Sequence, residues 1–203
     1  DNMLHEGRAV PYPERCDIVY AVVDTALKGG LEHDSTAVAW FARSKYHGHP
    51  LILLDYDLVQ IDSGLLDKWL IEVSKRTAHL AQVCNSRYGS GGVHIEDKAS
   101  GTVLIQQLVL QGLPVRPIHS ALTAMGKDER ALAISSHVHC GKIKISQYAY
   151  DKIFSHKGIT RNHLIHQVTT FRLGDKEANK RADDALDVFV YGVHLGVGTE
   201  TGL

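Results

Sequence analysis

What this sequence lacks narrows its chemistry first. No stretch comes near the ~18 uninterrupted apolar residues of a membrane span, so no transmembrane helix is expected. Neither sign of charge prevails, with 22 Lys plus Arg against 23 Asp plus Glu and a formal net charge of −1. That balance excludes a chain that grips nucleic acid by bulk positive charge and leaves only a local basic stripe. Cysteine is sparse: Cys16, Cys84 and Cys140 lie far apart with no CxxC pair. Such spacing argues against a disulfide framework or a zinc knuckle and suits a reducing cytoplasm. There is no GxxxxGK[ST] loop, hence no Walker-type nucleotide site, and no repeat or low-complexity tract. Residues 1–6 lack the basic-then-apolar pattern of a secretory signal, and the first methionine is Met3. A piece of a longer chain is therefore expected.

What is present suffices for one domain, with 203 residues of which 44% are hydrophobic. Residues 1–16, with Pro11 and Pro13, read as an irregular leader, 17–197 as the domain and 198–203 as a tail. The β-branched run from Asp17 to Val23 reads as a strand ending at Asp24; Thr36 to Phe41 and Leu51 to Val59 follow as a second and third. Their short links predict an antiparallel meander. From Ser63, a plausible N-cap, Leu65, Leu66, Trp69, Leu70, Val73, Thr77 and Leu80 recur at helical spacing as far as about Cys84. The Gly89 to Gly92 cluster reads as a flexible loop before a strand at Val93 to Glu96; Ser100 to Leu110 reads as helix and Val115 to Ile118 as strand. Further helices are expected at about Lys127 to His137 and Arg181 to Leu195, with a short strand or hairpin arm at Lys142 to Ile145 and only helical pieces between. The order βββαβαβα predicts a mixed α/β domain with a central five-stranded sheet, its first three strands antiparallel, flanked by helices.

The chemistry lies in carboxylates at the ends of elements. Asp24 ends the first strand, Glu96 and Asp97 end the fourth, and Asp183, Asp184 and Asp187 open the last helix. Spaced three apart, Asp184 and Asp187 are expected to share a face. First and fourth strands in such a sheet are central neighbours, so their ends meet, and a helix across the sheet supplies a third acid. Converging carboxylates need a cation between them, and all-oxygen ligation selects Mg²⁺ or Mn²⁺. Singly, each of these acids reads equally well as a turn former or as a complement to a helix dipole. Relief of carboxylate repulsion predicts that neutralising any of them leaves the melting temperature equal or higher.

The segments Val22-Val23-Asp24-Thr25-Ala26, Ile95-Glu96-Asp97-Lys98-Ala99-Ser100-Gly101 and Ala182-Asp183-Asp184-Ala185-Leu186-Asp187-Val188-Phe189-Val190-Tyr191 together resemble the C-terminal nuclease domain of tailed-phage terminase large subunits. Lys127-Asp128-Glu129-Arg130 with Gly141-Lys142-Ile143 resembles a further segment of that family. The likeness covers roughly residues 17–197. It implies an RNase H-like fold and a Mg²⁺- or Mn²⁺-dependent endonuclease that cuts double-stranded viral DNA during packaging by two-metal phosphodiester hydrolysis. By position Asp24 matches the first metal ligand and Glu96 the second, with Asp97 sharing or taking that role. Asp183 and Asp184 match paired acids, and Asp187 a position acidic in some members only. The resemblance also implies a packaging ATPase domain in the same full-length chain, a small terminase subunit and a portal as partners, and the host cytoplasm as the location.

Among the bases, Lys98 follows the acids and is a candidate contact to the scissile phosphate, and Lys127, Arg130, Lys142 and Lys144 form a candidate DNA-backbone stripe. A solvated face explains them as well. Trp40 and Trp69 are expected in the core. His137-Val138-His139 on a strand would turn both rings one way, but no further zinc ligands at fixed spacing accompany them. Two other readings stay open: a RuvC-like junction resolvase with the same fold and chemistry, and a catalytically inert RNase H-like module that docks to DNA or the portal. An actin-like ATPase would need phosphate-gripping glycine loops after two strands, and only the first strand has one, placed late.

Overall fold

The β-branched run at 18–24 forms a strand whose two faces are both covered, which is why it reads as continuous apolar sequence with no alternation. In this computed structural model, residues 9–25, 35–96, 101–174 and 183–197 are described. The chain opens with β1 (Ala9–Val10), then the meander β2 (Ile18–Asp24), β3 (Thr36–Arg43) and β4 (Leu51–Val59), antiparallel throughout as expected. A 3₁₀ turn, Ser63–Leu65, leads into α1 (Leu66–Val83), with Leu65 in place of Ser63 at the helix N-cap. Asp62 starts this turn, its Oδ1 accepting from Gly64 N at 2.8 Å and its carbonyl from Leu65 N at 2.9 Å.

Next come β5 (Ser90–Ile95), α2 (Gly101–Leu110), β6 (Val115–Pro117), α3 (Ser120–Ala124), α4 (Lys127–His139) and β7 (Ile143–Ser146). The chain continues through α5 (Gln147–Asp151), the hairpin β8 (Phe154–His156) with β9 (Ile159–Arg161), α6 (His163–Thr170) and α7 (Asp184–Val197). The stretch expected to be only helical thus contains a two-stranded hairpin.

Among these residues the central sheet has seven strands in the order β1-β7-β4-β3-β2-β5-β6, two more than the five expected. The additions lie beyond β4: β7, which falls in the strand or hairpin arm expected at Lys142 to Ile145, and the edge strand β1. β7 pairs parallel with β4, and Ala9–Val10, inside the expected leader, pairs parallel with β7. Only β3 runs against the rest, so the carboxyl ends of β2, β4, β5 and β6 lie along one edge.

Two cores sandwich the sheet. On one face Val19, Ala21, Val23, Val38 and Trp40 pack on α1 residues Leu66, Leu70, Val73 and Leu80, which recur at the spacing of one helical face. Trp40 is buried there and its Nε1 donates to Thr77 Oγ1 at 3.1 Å; Trp69 packs half-buried at the margin. On the other face Tyr20, Val22, Ala37, Ala39 and Phe41 lie under α7. Gly192 makes this approach possible, since a Cβ there would stand 2.0 Å from the Phe41 ring. Tyr20 Oη donates to the Gly192 carbonyl at 2.6 Å. With Gly192 over Phe41 and Gly196 over Leu51, α7 runs down the sheet and starts near the carboxyl ends of β2 and β4.

All of the glycine cluster but Gly89 is strand, not loop. Gly91 and Gly92 are buried within β5, where Cβ atoms would meet Ile18 at 2.9 Å and the Pro114 carbonyl oxygen at 2.2 Å.

Candidate active site

Two strand ends bring the first acids together. β2 and β5 are parallel neighbours with Val22 opposite His94 and Val23 opposite Ile95, and Glu96 N donates to Val23 O at 3.1 Å. Asp24 and Glu96 therefore end level with one another. By strand alternation Asp24 lies on the face of Tyr20 and Val22, the face covered by α7. Glu96 is 3% exposed, and its Oε1 accepts a hydrogen bond from Tyr191 Oη of α7 at 2.6 Å. Burial, then the Glu96 carboxylate, raises the Tyr191 hydroxyl above its ordinary pKa, and the Asp24 charge adds to this. The phenol stays protonated and remains a donor.

The helix supplies the rest. Asp183, Asp187 and Tyr191 are spaced by four and share one side of α7, the side that reaches Glu96. Lys127, the first residue of α4, bridges the two acids: its Nζ donates to Asp187 Oδ2 at 2.9 Å and also pairs with Asp183. Arg130, 7% exposed, lies with Nη2 3.4 Å from Asp187 Oδ1 and its Cζ 4.6 Å above the Tyr191 ring. Its Nη1 donates to the Met125 carbonyl at 2.8 Å. Burial draws the Lys127 pKa down, but the charges of Asp187 and Asp183 outweigh it and the net shift is upward. Asp187 is raised, its burial exceeding the opposing effect of Lys127 and Arg130.

Asp184, together with Asp183, lines a cavity that also holds Lys157 and Arg161. Burial, then the neighbouring Asp183 charge, raises its carboxyl to about 6. Asp184 and Asp187 were expected to share a face; the face that reaches Glu96 carries Asp183 and Asp187.

The basic stripe is divided. Lys127 and Arg130 turn inward to the acids, whereas Lys142 O accepts from Leu51 N at the opposite end of the sheet. Asp24 is level with Ala37 and so with Leu58, seven residues beyond Leu51, or roughly 20 Å along the strand. Lys144 pairs with Ile52 at that same far end. His137 and His139 fall in the last turn of α4, not on a strand, so their rings diverge. Asp97 and Lys98 lie outside the described residues. Among the described residues, no group of three or more His, Cys, Asp or Glu side chains is gathered closely enough to hold a metal ion, and no helix is long and apolar enough to cross a membrane.

Sequence reasoning assigned no role to Tyr191 or to the β8–β9 hairpin. For Tyr191 the signal was its spacing of four from Asp187. For the hairpin it was Lys157-Gly158 between two short strand-like runs.

No protein-family model matches this chain, and no curated protein does. Solved structures do. The human cytomegalovirus terminase nuclease domain superposes with a TM-score of 0.57 at 16% identity, over 94% of this chain and 94% of that one. A manganese-soaked structure of that domain gives 0.53 at 13% identity, again over 94% of each. The nuclease domain of the P22 large terminase gives 0.55 at 15% identity, over 94% of this chain and 89% of that one. At such identities the likeness is one of fold, and the fold is the RNase H-like fold of terminase nuclease domains that the motifs implied.

Proposed function

We propose that this chain is a divalent-metal-dependent endonuclease, the nuclease part of a terminase large subunit, cutting double-stranded viral DNA during genome packaging. One observation carries the reading. Asp24 and Glu96 end adjacent parallel strands on the face covered by α7, and the Asp183–Asp187–Tyr191 side of α7 reaches Glu96. The shared fold with terminase nuclease domains, one of them studied soaked in manganese, supports it.

The residues fit a hard divalent cation by donor chemistry, since every donor is a carboxylate oxygen. The site's demand for positive charge is visible in Lys127, whose ammonium stands against Asp183 and Asp187. Asp24, Glu96 and Asp183 are the residues that would hold the cation, with Asp97 an additional candidate. When bound, such ions activate water and stabilise the departing oxygen in phosphodiester hydrolysis.

The chain's own residues do the positioning. Asp24 presents a carboxylate from a strand end. Tyr191 fixes the Glu96 carboxylate through Oε1. Arg130 keeps Asp187 and the Tyr191 ring in place, and Lys127 balances the charges of Asp183 and Asp187. The partners of this reading are double-stranded DNA, an ATPase domain of a longer chain, a small terminase subunit and a portal, with the host cytoplasm as the location.

The test is incubation of the purified chain with supercoiled plasmid. Mn²⁺ should yield relaxed and linear DNA, and EDTA should abolish the conversion. Intact plasmid at every protein and Mn²⁺ concentration would overturn the reading in favour of an inert docking module. Cleavage confined to four-way junctions would favour a resolvase.

A further inference from the structure

Beside the acids lies a cavity of about 290 Å³ between the β8–β9 hairpin, α6 and the start of α7. Lys157, Arg161, His166 and Arg172 line it, with Asp183 and Asp184 on the wall it shares with the candidate metal site. We propose that this cleft is a phosphate-backbone subsite, holding the DNA strand next to the phosphate that is cut. The proposal rests on the nuclease reading and names the residues that grip its substrate.

Three observations converge on it. The first is charge. In a chain of net charge −1, gathering these cations around one cleft supplies the local field that phosphates need. Arg161 Nε is buried and has no hydrogen-bond acceptor among the described residues. His166 is held below its ordinary pKa by burial and then by Arg161, so an arriving phosphate would favour its protonation.

The second is the shape of the hairpin. Lys157 at φ 49° and Gly158 at φ 76° form a two-residue loop in the left-handed region. Asn, Asp or Gly ordinarily fills the first of these positions, and a lysine there costs about 1 kcal/mol. The strained residue is among those that line the cleft. The hairpin is also anchored: His156 Nε2 lies 2.8 Å from Ser35 Oγ, and His163 Nε2 lies 3.1 Å from the Phe154 carbonyl oxygen. Asn162 caps α6 by accepting from Ile165 N at 3.0 Å. A fixed loop presents its lysine without a large ordering cost.

The third is adjacency. Asp183 and Asp184 both line the cleft, and Asp183 also pairs with Lys127. The cleft therefore opens directly onto the candidate metal site, so that neighbouring phosphates of one strand, spaced by ~3.4 Å along the duplex axis, can occupy both. Ile159 and Phe171 add apolar lining between the cations, matching the alternation of phosphate and deoxyribose along a strand. A free inorganic anion would leave that lining uncovered.

The experiment is fluorescence anisotropy with a labelled DNA duplex in EDTA, so that nothing is cut, across a salt series. The paired change Lys157→Ala with Arg161→Gln, and separately Arg172→Ala, should weaken binding about tenfold. Each lost contact should also reduce the slope of log affinity against log salt by about 1. Lys142→Ala with Lys144→Ala, at the far end of the sheet, should change neither quantity. Wild-type affinity and slope in the cleft variants, with wild-type cleavage in Mn²⁺, would overturn the cleft and leave the nuclease reading standing. Absence of both DNA binding and Mn²⁺-dependent cleavage in the unaltered chain would overturn both. Competition by poly-glutamate as strong, per charge, as by DNA would overturn the assignment to nucleic acid.

Discussion

The Tyr191 hydroxyl, carried on α7, donates to Glu96 Oε1 at 2.6 Å and joins the helix to the end of β5 inside the core. Both residues are buried, at 0% and 3% exposure. A hydrogen bond to a buried carboxylate contributes about 1.5–3 kcal/mol, and a partner that orients a metal-binding acid changes affinity by about 10–100-fold. Tyr191→Phe should lower unfolding free energy by that amount in metal-free buffer and weaken Mn²⁺ binding about tenfold or more by calorimetry. Lost stability with unchanged Mn²⁺ affinity would make Tyr191 a packing residue alone.

Asp184 and Asp187 should respond in the same direction to neutralisation. Asp184 is an acid raised from 3.8 to about 6, so between these values the folded chain holds a proton that the unfolded chain releases. Stability therefore falls as pH rises through that window. Asp184→Asn should raise the melting temperature near pH 7.5 by a few degrees and leave it unchanged near pH 3.5. Asp187 is raised too, its burial outweighing Lys127 and Arg130, and Lys127 keeps Asp183 as a partner when Asp187 is neutralised. Asp187→Asn should therefore likewise leave the melting temperature near pH 7.5 equal or higher. Calorimetric scans of both variants across pH provide the check.

If Asp183 holds the cation as proposed, Lys127 competes with metal for it. Lys127→Met should lose about 1–2 kcal/mol in metal-free buffer, from two ion pairs that are only partly exposed. Its melting temperature should then rise more on adding Mn²⁺ than that of the unaltered chain, because no internal cation has to be displaced. A smaller Mn²⁺ response would show that Lys127 assists metal binding instead.

Much of the fold was legible because its signals are local. The Val-rich run ending at Asp24, the meander and the α1 face from Leu66 to Leu80 each follow from periodicity within one element. The edge strand β1 was not, since Ala9–Val10 has two residues, and the pairing of β7 was not, since it finds β4 only through a long crossover. The meeting of Asp24 with Glu96 was legible as topology. The allocation of Asp183, Asp184 and Asp187 depended on which side of α7 faces the sheet, a packing choice set by Gly192 lying on Phe41. Lys127 and Arg130 look like solvated bases until Asp187, some 60 and 57 residues further on, is placed beside them.

The central claim is that Asp24, Glu96 and Asp183, on the Tyr191 side of α7, hold the metal. Anomalous scattering from crystals soaked in Mn²⁺ with the cleft open to solvent tests it most directly. The account predicts one or two peaks bounded by Asp24, Glu96 and Asp183, with Lys127 withdrawn from Asp183 and Tyr191 still on Glu96. A peak at Asp184 inside the hairpin cleft, or none near Asp24 and Glu96, would contradict it.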